Sequence, residues 1–130
     1  MKIGELAALT GCSVQSIRYY EKEKLLSSTQ RSEGNFRLYG SVAIEQLKFI
    51  KHCRNLDLSL AEIRHLIELN MNPRMQCDDV NRMIDDHIEL VMGRIKELNS
   101  LQEQLMLLRD TCSNSRTVNE CGILKSLSST

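Results

Sequence analysis

Between about Asp78 and Asp110 nothing in the sequence breaks a helix. Across that stretch Ile84, His87, Val91, Arg94, Leu98, Leu101, Leu105 and Leu108 occupy successive a and d positions at strict heptad spacing, and six of the eight are apolar. A helix this long has no partner within 130 residues. Its apolar seam therefore has to be buried against a second copy of the chain, which predicts a homodimer through Ile84, His87, Val91, Leu98, Leu101, Leu105 and Leu108. A histidine at a d position is read as a packed core residue before a ligand.

The segment ahead of this helix is punctuated quite differently. Ile3 to Leu9 suits a short helix stopped by Thr10-Gly11, and Ser13 caps a second helix running to about Lys24. Two short helices joined by a Thr-Gly-Cys turn match the helix-turn-helix pattern. Residues 27–40 lose the helical period, and Glu33-Gly34-Asn35 is a turn signal between short extended arms, which predicts a hairpin. Ser41 opens a third helix, and Ser59 with Glu62 forms a capping box opening a fourth that ends over Asn70 to Pro73, the only proline. The expected fold is mainly α. Residues 1–70 form a winged helix-turn-helix head, with the helix-turn-helix and wing in 1–40 and two further helices in 41–70. Residues 71–130 hold the dimerisation helix (about 78–111) and a C-terminal loop with a short helix (112–127).

Charge is also uneven along the chain. Residues 1–58 carry nine Lys/Arg against six Asp/Glu, and 59–130 carry eight against eleven, although the whole chain is formally neutral. A basic head suits a polyanion. The second helix presents Gln15, Ser16, Arg18 and Tyr19 at spacings that share an outward face, where Arg and Gln can pair with base edges in a major groove. The hairpin carries Arg31, Asn35, Arg37 and Tyr39, types that grip phosphates. The expected partner is double-stranded DNA. No stretch is apolar enough to span a membrane and the N-terminus lacks the features of a signal peptide, so a cytoplasmic location is expected. There is no convergent nucleophile and base and no phosphate loop, which argues against an enzyme.

Five cysteines (Cys12, Cys53, Cys77, Cys112, Cys121) in a reducing compartment point to buried thiols or metal ligands rather than disulfides. Cys53 on the third helix, and Cys12 in the turn, read as small buried hydrophobes. Cys77, Cys112 and Cys121 border polar segments and read as metal ligands. At ~1.5 Å per residue a continuous helix holds Cys77 and Cys112 of one chain on the order of 50 Å apart, so one subunit cannot bring them to a common ion. Three thiolates are soft donors; zinc in structural sites takes four ligands, so Cd(II), Pb(II) or Hg(II) suits them better. A thiol redox switch that joins Cys112 and Cys121 is the competing reading. A metal buffer would have no use for the Arg-bearing helix and hairpin.

The segments MKIGELA at 1–7, IRYYE at 17–21 and GNFRLY at 34–39 closely resemble signature segments of the MerR family of bacterial regulators, and the likeness runs on through Phe49-Ile50 to Cys121. The resemblance implies a dimer on a promoter whose spacer is too long for RNA polymerase to engage both of its elements. Effector binding then bends and untwists the DNA, a sequence-dependent deformation that needs no new base contacts. It implies DNA contacts at Arg18, Tyr19, Tyr20, Arg37 and Tyr39. It also implies an antiparallel coiled coil that sets Cys77 of one subunit beside Cys112 and Cys121 of its partner, making two equivalent three-thiolate sites. Cys112 and the CGIL at 121–124 resemble the cadmium- and lead-responsive branch, whose targets are metal-efflux or related resistance genes. Cd(II) and Pb(II) are the expected effectors, with Hg(II) or Zn(II) as alternatives. The proline that follows the last cysteine in mercury sensors is missing, as is the His-rich tail that serves some cadmium sensors as a second site.

Overall fold

The computed structural model describes residues 1–26, 30–31 and 37–129, apart from the side chains of Gln30, Arg31 and Arg37. It is mainly helical and divides into two compact units, Met1–Val80 and Asn81–Thr130.

In the first unit α1 (Ile3–Thr10) ends at Gly11, whose φ of 74° is the left-handed geometry that lets its N–H reach the Ala7 carbonyl. Lys51 Nζ donates to the Thr10 carbonyl at 2.8 Å and so closes the same helix end from α3. The Ser13 hydroxyl accepts from Ser16 N–H and opens α2 (Val14–Lys22), as its sequence position suggested. α2 stops two residues earlier than the expected Lys24, because Lys24 itself turns left-handed (φ 61°) and Leu25 N–H bonds back to Tyr20. That turn swings Leu25 and Leu26 into the core instead of continuing the helix.

Antiparallel β1 (Gln30–Arg31) and β2 (Arg37–Leu38) pair Gln30 with Leu38 and Arg31 with Arg37, the two arms of the expected hairpin. Asn35, the remaining hairpin residue singled out from the sequence, lies outside the described residues, as do the Arg31 and Arg37 side chains. α3 (Ser41–Asn55) and α4 (Leu60–Asn70) follow, and the Ser59–Glu62 capping box forms in both directions.

Two adjoining clusters make the core. Leu6, Ile17, Leu26, Tyr39, Ala43 and Leu47 form one, and Leu25, Ile50, Cys53, Leu58 and Ile63 the other, with Tyr20 packed against both. Cys53 is buried and Cys12 half-buried against the first cluster, the packing role expected of each. Truncating a fully buried member such as Leu6 or Ile17 to alanine costs about 2–5 kcal/mol by cavity formation. This core holds α2 by one face and leaves the opposite face free.

The division after Val80 falls later in the chain than the boundary expected at residue 70. The reason is local: Met71 N–H bonds to Ile67, Asn72 N–H to Leu69 and Met75 N–H to Asn72, so the segment after α4 stays tied to it. α5 (Asp78–Arg109) is then continuous for 32 residues. Along it Ile84, Val91, Leu98, Leu101 and Leu105 are exposed in the single chain, and Leu108 is half-buried. Exposed Ile88 and Ile95 widen this stripe along one side, beyond the expected positions. His87 departs from the expectation. It is buried in the single chain, so it is not part of the exposed stripe. Heptad spacing says which side of a helix a residue lies on, not which element covers it. A 3-10 turn α6 (Val118–Glu120) and a final helix α7 (Gly122–Ser128) complete the chain.

Candidate functional site

The segments that carry Cys112 and Cys121 are brought side by side within one chain, where Gly122 lies against the Thr111 carbonyl. Cys112 sits in the turn after α5, its thiol donating to the Ser113 carbonyl. That turn is clamped by Arg109, which donates through Nη1 to the Cys112 carbonyl at 2.7 Å and through Nη2 to Asn114 Oδ1 at 2.6 Å. Cys121 precedes the first residue of α7. It makes no regular side-chain cap bond there. Even so, the backbone N–H of Leu124 draws its thiol below the ordinary range; partial burial opposes this, and the Cys112 thiol, the Ile123 N–H and the positive charge of Arg116 add to it. Sulfur held as thiolate is the form that ligates metal.

A close backbone approach sets this pair. Gly122 lies so near the end of α5 that an added Cβ would run into the Thr111 carbonyl oxygen, with the carbonyl carbon at 2.9 Å and Thr111 Cβ at 3.3 Å. Cys77 stands apart from the pair in sequence: it is exposed and immediately precedes α5. Among the described residues no three His, Cys, Asp or Glu side chains of one chain cluster closely enough to hold a metal ion. The structure thus brings together two of the three expected ligands. Gly122, Arg109 and Arg116 were missed from the sequence; only the adjacency of glycine to a ligand cysteine hinted at the first.

In the first unit, α2 leaves Gln15, Arg18 and Tyr19 exposed and Ser16 half-buried. Gln15, Ser16, Tyr19 and Tyr20 line a shallow cleft of about 340 Å³ together with Arg54 and Leu60. Arg54 is a cation that sequence reasoning did not place on this face; it comes from α3, and its Nη1 donates to the Leu58 carbonyl at 2.9 Å. Tyr20 is half-buried, its ring shared between the two core clusters.

Tyr39 is a correction. Expected to contact DNA, it is only 2 % exposed, and its hydroxyl donates to Glu21 Oε2 at 2.6 Å. Leu38, the last residue of β2, remains half-buried. Tyr39 lies just past β2, where its N–H bonds to the Met1 carbonyl and its ring packs into the first core cluster.

Comparison with known proteins agrees with this architecture. The family described as "MerR HTH family regulatory protein" matches residues 1–69, and the one described as "MerR, DNA binding" matches residues 44–108. The chain is 46% identical over 115 residues to an HTH-type transcriptional regulator ZntR homolog of Haemophilus influenzae, covering 88% of this chain and 85% of that protein. It is 37% identical to the HTH-type transcriptional regulator ZntR of Escherichia coli K12, covering 97% and 91%. Among solved structures, the transcription regulator PbrR691 of Ralstonia metallidurans CH34 in complex with lead(II) matches with a TM-score of 0.86 and 48% identity, over 98% of this chain and 99% of that one. These relatives are transcriptional regulators and not enzymes, in keeping with the expectation from the sequence. With a helix-turn-helix head, a hairpin and a long C-terminal helix, and with family matches that together run from residue 1 to residue 108, the chain belongs to the MerR family of transcriptional regulators.

Proposed function

We propose that this chain is a metal-responsive transcription regulator that binds promoter DNA as a homodimer and answers a soft heavy-metal ion. Three thiolates would hold the ion, Cys112 and Cys121 of one subunit and Cys77 of its partner. The observation that carries this reading is the close approach of Gly122 to the Thr111 carbonyl, which brings their chain neighbours Cys121 and Cys112 side by side in one chain. It supplies two soft ligands and leaves the coordination short of a third. Cys77 of the same chain is separated from them by the whole of α5, about 48 Å of helix. Only a second subunit can bring a Cys77 to the pair, and the exposed stripe of α5 gives that subunit a place to dock in antiparallel sense.

A three-sulfur site favours Cd(II) or Pb(II). The similarity to a lead(II)-bound regulator over nearly the full chain supports Pb(II) in particular. On the DNA side, Gln15, Ser16, Arg18 and Tyr19 of α2, beside Tyr20, are the proposed major-groove contacts, and Arg31, Asn35 and Arg37 the proposed phosphate contacts of the hairpin. Ion binding at the far end of α5 shifts the dimer toward the form that distorts the promoter spacer, so that RNA polymerase reads a metal-resistance or efflux gene. The protein acts in the cytoplasm; among the described residues no helix is long and apolar enough to cross a membrane.

The test mixes two variants. Cys77→Ser and Cys112→Ser homodimers each lose one ligand from every site and should lose metal response while still binding DNA. In the mixed dimer, Cys112 and Cys121 of the first meet Cys77 of the second, restoring one complete site. The other end keeps Cys121 alone. One tightly held Pb(II) or Cd(II) per mixed dimer, with its sulfur-to-metal absorption, is expected. A mixed dimer without a tight thiolate-bound ion sinks the shared site, and metal-independent response that instead tracks Cys112–Cys121 oxidation would favour the redox reading.

A further inference from the structure

We propose that Gly122 is the positioning residue that preforms the Cys112–Cys121 dithiol, because the end of α5 passes so close to it that no side chain fits between. The requirement is one of space. Gly122 does not adopt the left-handed backbone that Gly11 does, so an L-residue could take its conformation. What excludes it is the Thr111 carbonyl, into which a Cβ would be driven, together with the carbonyl carbon and Thr111 Cβ. The contact is with backbone, which cannot rotate out of the way as a flexible side chain would.

Nor is that backbone loose. Thr111 N–H and Oγ1 both donate to the Leu108 carbonyl, at 3.1 and 2.6 Å, and Arg109 holds the carbonyl of the next residue, Cys112, at 2.7 Å. Cys112 directly follows Thr111 and Cys121 directly precedes Gly122. The same approach that leaves no room for a Cβ therefore sets the two cysteine-bearing segments side by side. A methyl at 122 has one outlet, displacement of the segment that carries Cys121. Gly4 and Gly93 are different: a Cβ at either meets nothing within 4 Å.

The inference rests on the reading of Cys112 and Cys121 as ligands, and its test separates the two. In full-length Cys77→Ser protein without metal, phenylarsine oxide serves as a probe of thiol proximity. Two thiols form two As–S bonds to its trivalent arsenic; their protons pass to the arsenical oxygen, which leaves as water. Mass spectrometry of tryptic peptides reports the Cys112–Cys121 bridge. Gly122→Ala and Gly122→Ser should weaken bridging at least about 100-fold, the loss expected when the second bond no longer benefits from a preset neighbour. Gly93→Ala should leave it unchanged. Monofunctional maleimide should still reach both thiols, and helicity and DNA binding should persist, since the head core lies in the other unit. In protein that retains Cys77, the same substitutions should diminish the sulfur-to-lead(II) absorption. Arsenical bridging in Gly122→Ala that equals the Gly93→Ala control overturns the proposal. Intact bridging with no metal bound to the Cys77-containing dimer would instead count against the shared three-thiolate site alone.

Discussion

Replacing Leu98 and Leu105 together by glutamate should dissociate the dimer. In the single chain Leu98 is 63% exposed and Leu105 64% exposed, so the proposed dimer would cover most of each side chain. Full burial of a leucine side chain is worth roughly 1.5–3 kcal/mol, and about three-fifths of that remains to be gained, or about 1–2 kcal/mol per copy. A two-fold interface counts each position twice, giving about 2–4 kcal/mol per position and about 4–8 kcal/mol for the pair. Each 1.4 kcal/mol is tenfold in affinity, so loss of burial alone weakens the dimer by at least about a thousandfold. Desolvating the introduced carboxylates adds to this. Leu107, 70% exposed but off the seam, is the matched control, and Leu107→Glu should leave the dimer intact. Sedimentation velocity across a concentration series reads both variants, and operator binding should fall with dimer content. A Leu98→Glu/Leu105→Glu protein that remains dimeric at micromolar concentration would refute the assignment of the seam. Dissociation by Leu107→Glu to the same degree would place the interface on another face of α5.

Three further outcomes are expected. Arg18→Ala should cost about 1–3 kcal/mol of specific DNA binding without unfolding the head, as for loss of a base contact; unchanged affinity and an unchanged salt slope in a gel-shift titration would remove Arg18 from the interface. Tyr39→Phe removes a part-buried hydrogen bond to a carboxylate, and should lower the stability of the head by about 1.5–3 kcal/mol in urea melts while leaving the discrimination between operator and non-operator DNA unaltered; a changed base preference in an otherwise stable head would restore Tyr39 as a contact. Because the Cys121 thiol is drawn below the ordinary range, its thiolate persists as pH falls from about 8.5 and disappears only through the depressed value, so peptide-resolved iodoacetamide labelling of metal-free protein should reach its half-maximal rate below that pH. A midpoint at or above the ordinary thiol value would contradict the role given to the Leu124 N–H.

Local signals were the legible ones. Ser13, Gly11 and the Ser59–Glu62 box start or stop helices through bonds within a few residues, so the sequence alone determined α1, the start of α2, and α4. The a/d spacing of α5 likewise needed nothing beyond its own period, and it marked an apolar stripe that the fold leaves exposed apart from His87 and Leu108. Cysteine type and separation raised the expectation that Cys77, Cys112 and Cys121 are ligands, and the helix between them argues against Cys77 and Cys112 of one chain sharing an ion. What required tertiary structure were contacts between segments far apart in sequence. Tyr39 reads as a surface aromatic until its ring is seen in the core and its hydroxyl on Glu21, eighteen residues earlier. His87 shares the period of the seam and yet is buried in the single chain. Arg54 joins the α2 face only because α3 packs beside it. The Cys112–Cys121 pair depends on Gly122 meeting the Thr111 carbonyl, eleven residues away. Sequence spacing measures distance along the chain, and it specifies distance in space only where a rigid element such as α5 makes the two proportional.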